Sequence, residues 1–359
     1  MTQFYILKRV LVLLAASTVS ACSSFGYYLD LMAGHSELLE QRKPVSEVID
    51  DENTNNNLRE ALLKSQKIRD FASKSLYLPE NDSYRQYADL NRPFVVWNVV
   101  AAKKLSVEAK KWCFLFVGCL SYKGYFSKDE AQAEAQWLAA AGYDVHIAGA
   151  KAYSTLGWFD DPLLNTMMYR SEARRAGIIF HELAHQLIYI ENDTAFNEAF
   201  ATVVEQEGIR QWFAKNGKHK EYADYLEQNK RDTQINSLLL ETRKALMKLY
   251  QSNATAERKL IAKKQYFALL QKKYQQLKKT WTGKNVNAFD EWMTQDLNNS
   301  HLLLVATYYD LVPIFKNIMK EENNNFKRFY ARVKKLGRIN KNKATINVSQ
   351  PKGRGSDEK

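Results

Sequence analysis

The chain has 359 residues, of which 45% are hydrophobic and 26% charged, and its formal net charge is +12. That length exceeds one ordinary domain of ~100–200 residues and suffices to bury a sizeable core. The balance excludes wholesale disorder, a collagen-like chain and a multi-span membrane protein, because only the N-terminus carries a long apolar run. The positive charge bears on partners and solubility rather than on fold.

Lys8 and Arg9 precede an apolar run from Val10 to Thr18, which is followed by Val19, Ser20, Ala21 and Cys22. A basic start, a short apolar stretch and small residues before a cut describe a secretory signal. The run is too short to span ~30 Å of hydrocarbon as a permanent helix. Val-Ser-Ala-Cys resembles the bacterial lipobox, so residues 1–21 are expected to be a lipoprotein signal peptide, with Cys22 as the lipidation site. Acyl chains on Cys22 anchor a protein to a bilayer without a spanning helix. Ser23 is non-acidic, which resembles the sorting signal for the outer membrane, so the expected location is that membrane, facing the periplasm. An exported chain without a basic-aromatic motif is not expected to bind nucleic acid.

Residues 22–214 are expected to hold an N-terminal helical region and the core. Residues 27–90 read as mostly helical, with Leu58, Leu62, Ile68 and Phe71 among charges and a polar break from Asn53 to Asn57. Strand candidates follow at Phe94 to Val100, Phe114 to Leu120, Val145 to Ile147 and Ala152 to Leu156. A helix from Lys128 to Ala141 lies among them, and Gly142 suits its end. Cys113 and Cys119 sit in a strand, Gly turn, strand pattern from Trp112 to Phe126, and an oxidising periplasm permits a disulfide between them. Residues 163–214 read as two consecutive helices. Residues 215–300 are Lys-rich, with apolar positions at helical spacing, and predict a long helical hairpin turning near Asn253. Residues 301–335 continue as amphipathic helix, and the basic, Asn-rich stretch 336–359 is expected to be a disordered tail.

The chemistry is concentrated in residues 178–205. His181-Glu182-Leu-Ala-His185 on a helix puts both imidazoles on one face, about one turn apart. That spacing lets them reach one metal ion at ~2.0–2.1 Å. Glu182 points about 100° around the helix, where it meets water rather than the ion. Apolar residues flank the motif, and burying two His and a Glu is costly unless they are paired or metal-bound. Two residues compete as third ligand. Glu191 lies six residues after His185, but Ile188 stands where a Gly would ease the sharp turn. Glu198 lies on the next helix, capped by Asp193 or Thr194, and a helical hairpin returns it towards the two His. His181, His185 and Glu198 thus form the preferred ligand set, for one Zn2+ per chain. Glu205, two turns further on, either orients a ligand His from behind or is a solvated helix charge.

Asn197-Glu198-Ala-Phe-Ala201 resembles the sequence around the third ligand of some gluzincin aminopeptidases. More widely, Gly118-Cys119 with Tyr122 to Phe126, Leu156 to Leu164, Phe180 to Gln186, Asp193 to Ala201 and Ala306 to Phe315 resemble the bacterial family named as a "putative aminopeptidase", a zincin-type family. The resemblance implies an α+β, mainly helical, zincin-like metallopeptidase domain with a small antiparallel sheet and a long inserted helical hairpin. It implies zinc-dependent peptide-bond hydrolysis with Glu182 as general base, and it makes Tyr308 or Tyr309 candidate donors to the oxyanion. The exopeptidase motif Gly-x-Met-Glu-Asn of one large gluzincin group is absent, so the aminopeptidase assignment rests on the metal motif. The contrasting reading is a non-catalytic envelope lipoprotein with a degenerate metal site. It would bind membrane, cell wall or a partner protein, with the basic hairpin as its anionic-surface contact.

Overall fold

The computed structural model describes residues 26–349, apart from 115–117, 153, 156, 192 and 304–310. The expected signal peptide, Cys22, Tyr308 and Tyr309 all lie outside the described residues. Among the described residues the chain is mainly helical with three small sheets, an α+β arrangement. Among the described residues no helix is long and apolar enough to cross a membrane.

The N-terminal region contains helices α1 (26–40), α2 (Val45–Asp50) and α3 (Asn56–Lys74). The Asn55 side chain caps α3 by accepting from the Asn57 amide. The apolar positions of α3 then repeat at helical spacing, so Leu62, Ile68 and Phe71 are buried together. Strands β1 (Lys43–Pro44), β2 (Gln86–Ala88) and β8 (Leu163–Leu164) form one sheet, antiparallel between β1 and β2 and parallel between β2 and β8.

A second sheet has the order β6-β3-β7, with both pairings antiparallel: β3 (Val96–Lys103), β6 (Lys123–Tyr125) and β7 (Tyr143–Ala150). Helix α4 (Lys128–Ala140) starts at the Ser127 cap, ends before Gly142 at a φ of 85°, and buries Ala131 and Leu138 against this sheet. Strands β4 (Trp112–Phe114) and β5 (Gly118–Leu120) form a hairpin that pairs Cys113 with Cys119, and the two cysteines are joined as a disulfide.

The strand expected at Ala152 to Leu156 is not formed, since its described residues lie in no strand. Asp161 takes the Thr155 amide and the Ser154 hydroxyl onto its carboxylate. The Thr155 hydroxyl in turn accepts from the Phe159 amide. Donors consumed locally are not free to build a ladder.

After the short α5 (Asn165–Met168) come α6 (Glu172–Leu187) and α7 (Thr194–Lys215), an antiparallel pair at the centre of the largest core. Ser171 caps α6 and Asp193 caps α7. Two glycines let these helices sit close. A Cβ on Gly208 would stand 2.7 Å from the Phe180 ring, and one on Gly177 would stand 2.9 Å from a Glu205 carboxylate oxygen. The core also takes in α3, α11 (Val312–Glu321) and α12 (Phe326–Ser349), with Phe200 stacked on Phe329.

The last helix runs past Leu336 to Ser349, into the stretch expected as a tail, and 350–359 lie outside the described residues. Leu336 packs against the core, and Gly337 sits so near Ile190 that a Cβ there would stand 2.6 Å from it. These contacts hold the start of the segment that a composition argument treats as free.

The Lys-rich hairpin is α8 (His219–Gln251) and α9 (Ala256–Lys278), turning through 252–255. It has its own apolar core with Val107, the short α10 (Asp290–Met293) and a 3-10 turn at Asn299–Leu302. It docks on the β3–β7 sheet through polar contacts. Lys263 pairs with Asp144, Asn299 donates to the Lys103 and Lys104 carbonyls, and Asn298 donates to the Val145 carbonyl. His146 on β7 packs against His301 at this junction, with ring centroids 4.1 Å apart and the rings tilted by 36°.

Candidate metal centre

The helical pair α6–α7 carries every expected metal-site residue except Glu191, which lies in the turn between them. His181 and His185 are one turn apart on α6, and their rings meet edge-on at 4.8 Å. The turn back to α7 is fixed by Asn197. Its side-chain amide donates to the Ile190 carbonyl at 2.8 Å, and its side-chain oxygen accepts from the Ile190 amide at 2.7 Å. With Asn197 holding the turn and Asp193 capping the helix, Glu198 faces the two imidazoles. Its carboxylate lies 3.2 Å from His181 Nε2 and 3.7 Å from His185 Nε2. Glu191 is exposed and stands outside the cluster.

His181, His185 and Glu198 each offer one ligand atom, and these atoms lie within 4.8 Å of one another. A tetrahedral ion with bonds of ~2.0–2.1 Å separates its ligand atoms by about 3.3 Å. The 3.2 and 3.7 Å separations straddle that spacing. Two imidazoles and one carboxylate also match the donor preference of a borderline-soft divalent ion. The residues therefore fit a metal ion.

Glu205 completes the arrangement from behind. Its carboxylate lies 3.2 Å from His181 Nδ1, which leaves Nε2 to face Glu198. Gly177, one turn before His181, makes the room for Glu205 to cross. A carboxylate on the remote ring nitrogen fixes the tautomer and raises ligand basicity. His185 Nδ1 is buried and has no hydrogen-bond partner among the described residues.

Burial works against charge at His181, but the bonds to Glu198 and Glu205 overcome it and hold the imidazole well above its ordinary pKa. At His185 burial wins, aided by the neighbouring His181 charge, and lowers the pKa to about 4. Burial opposes the Glu198 carboxylate as well, yet His181 and His185 keep it below the usual range. Glu182 is pushed up to about 7, first by burial and then by Glu198 and Asp161, with His181 and a Ser154 hydrogen bond opposing. A carboxyl poised near neutrality beside three potential ligands is equipped to accept and return a proton.

Sequence reasoning gave no role to three groups near this centre. Asp161 is almost fully buried and braces the 154–161 loop beside Glu182. Tyr84, also fully buried, lies within electrostatic reach of Glu182 and Asp161. Tyr122 lies within reach of Glu198, Tyr189 and Glu182. None carries a spacing signal, because all three come from loops or turns distant in sequence from the His-Glu motif.

No curated protein and no solved structure matches the chain. A family model described as "Putative aminopeptidase" matches residues 26–347. This span takes in α6 and α7, the disulfide hairpin and the Lys-rich helices, and it supports a peptidase-type enzyme. The chain belongs to the "Putative aminopeptidase" family.

Proposed function

We propose that the protein hydrolyses peptide bonds with one zinc ion held by His181, His185 and Glu198, in a zincin-like domain. The observation that carries this reading is the convergence of both Nε2 atoms and the Glu198 carboxylate, with Glu182 on the adjoining face of the same helix. When bound, zinc supplies Lewis-acid polarisation of a carbonyl and acidifies water. Glu182 takes a proton from the attacking water, whose oxygen bonds to the peptide carbonyl carbon. The same carboxyl then delivers that proton to the amine as the C–N bond breaks. Glu205 holds the His181 ring in the tautomer that leaves Nε2 free to ligate. Aminopeptidase rather than internal cleavage belongs to the proposal on the strength of the family description alone.

The reading extends to location. Residues 1–21 would be removed and Cys22 acylated, tethering the enzyme to the outer membrane on its periplasmic side. Loss of fatty-acid labelling in Cys22→Ser cells is the expected result, and retained labelling would refute the anchor.

The test of the site is metal content in a soluble form starting after Cys22, beside Glu198→Ala, Glu191→Ala and Glu182→Gln. About one zinc per chain is expected, lost in Glu198→Ala and kept in the other two. Chelator should abolish hydrolysis of a peptide library, zinc should restore it, and Glu182→Gln should be inactive with its zinc in place. A folded wild type that takes up no zinc would reduce the motif to a relic.

A further inference from the structure

A protein tied to a bilayer at one residue is still free to turn, and the surface nearest the tie decides which side meets the headgroups. Helix α1 starts at Gly26, four residues after Cys22, so its first residue stands at most about 14 Å from that cysteine. Met32 lies about 9 Å further along the helix axis. Whatever α1 exposes near its start is therefore held close to the membrane.

The residues of α1 fall into stripes at three- and four-residue spacing. Tyr27, Leu31, Gly34 and Leu38 face the protein. The Tyr27 hydroxyl donates to the Gly124 carbonyl, Leu38 is buried, and a Cβ on Gly34 would stand 2.4 Å from the Phe126 ring. Asp30, Ala33, Glu37 and Glu40 make an exposed, acidic stripe. Tyr28, Met32, His35 and Leu39 make a third stripe that holds no acid, with the half-exposed Leu29 at its edge.

The 154–161 loop extends this third stripe. Phe159 packs against His35, with ring centroids 4.8 Å apart, and Arg42 Nη1 donates to the Asp160 carbonyl at 3.1 Å. Trp158 at the crest of the loop is 85% exposed, Met32 is 69% exposed and Phe159 is half exposed. The crest is held firmly in this position. The Trp158 amide donates to the Thr155 carbonyl, the Phe159 amide donates to the Thr155 hydroxyl, and Asp161 takes the Thr155 amide. Single exposed apolar side chains are ordinary, whereas several from two elements meeting in one patch mark an interaction surface. Tryptophan in particular favours the level of lipid headgroups. Arg42 and the exposed Lys43, just beyond α1, supply cations for lipid phosphates at the rim.

We propose that Leu29, Met32, Trp158 and Phe159 form a membrane-docking face that enters the headgroup region of a phospholipid bilayer beside the acylated Cys22. The proposal rests on the lipid-anchor reading above, and supplies the second contact that a tethered chain needs for a fixed orientation. It also places the candidate metal centre. A Cβ on Gly157 would stand 3.4 Å from the Gln186 side chain, the residue after His185, and Gln186 is itself held by Asn81 and Ser83. The docking loop thus lies directly on α6, and the centre works beside the membrane surface.

The experiment places the full chain, purified from membranes, on vesicles of phosphatidylcholine and phosphatidylglycerol whose acyl chains carry bromine, a contact quencher of indole fluorescence. Trp158 is one of seven tryptophans, so its signal is the difference between wild type and Trp158→Phe. That difference should be quenched on brominated vesicles and not on ordinary ones. Met32→Asp and Leu29→Asp should each reduce the quenching at least threefold, while Ala33→Asp on the acidic stripe should leave it unchanged. Thermal midpoints should match wild type, since the substituted side chains are exposed. Mass spectrometry of the N-terminal fragment reports acylation separately. An acylated chain whose Trp158 is not quenched overturns the docking face and leaves the anchor, and a raised KM for peptides in Trp158→Phe would then give the crest to substrate. A chain without acyl groups whose Trp158 is still quenched overturns the anchor and leaves the docking face. Neither acylation nor quenching overturns both, and equal effects of Met32→Asp and Ala33→Asp overturn the face as drawn.

Discussion

Gly177→Ala separates metal affinity from fold stability at this site. Ala is favoured over Gly inside a helix by about 1 kcal/mol, so α6 itself should gain. The added Cβ, however, would stand 2.9 Å from Glu205 Oε1, 3.2 Å from its Cγ and 3.3 Å from its Cδ. The obstructed atoms belong to a flexible side chain, so Glu205 gives way by a few tenths of an ångström and the helix spacing need not change. That shift falls on the 3.2 Å bond between Glu205 and His181 Nδ1. Loss of such a partner typically lowers metal affinity 10–100-fold, roughly 1.4–2.8 kcal/mol. Chelator competition should therefore show weaker zinc binding, while urea unfolding of the metal-free protein gives a midpoint equal to or above wild type. Zinc affinity within twofold of wild type would refute the claim that Glu205 tunes His181. An unfolding free energy lowered by more than about 1 kcal/mol in that titration would instead show that the contact spaces the helices.

Two further outcomes are expected. Asn197→Ala should lose about 2–3 kcal/mol of stability, since both polar groups of Ile190 lose their partner, and should bind zinc more weakly because Glu198 is no longer held. Asp193→Ala, which loses only the α7 cap, should cost about 1 kcal/mol, and equal effects of the two variants would count against the clamp. The second outcome concerns the seam between sheet and hairpin, where burial lowers His146 to about 4 and His301 to about 3. Both folded values lie below the free imidazole at ~6.5, so the unfolded chain takes up protons first on acidification. Their contribution to stability is complete above pH ~6.5 and is lost as the pH falls towards the folded values. Hydrogen exchange should show α8 and α9 losing protection at pH 5 relative to pH 7 before α6 and α7 do, and uniform loss across the chain would argue against a local cause.

What could be read from the sequence follows the reach of each interaction. His181 and His185 are related by one helical turn, a spacing written in the sequence itself, and Glu198 follows once a hairpin with an acidic cap is assumed. The cap of α7 was equally local, because Asp193 binds an amide three residues on. Glu205 was ambiguous because its role depends on a neighbour helix at close range, and the residue that permits that approach is a glycine 28 positions earlier in a different helix. The 152–156 stretch looked like a strand by composition, yet one buried carboxylate at Asp161 captured its donors. Helix α12 passes its expected end at residue 335 because Phe329 and Val333 are buried and Leu336 packs against the core, contacts that composition does not show. The ligands could be found by periodicity because one helix carries two of them, whereas Glu205 and Asp161 take their places from separate elements that only the packed chain brings together.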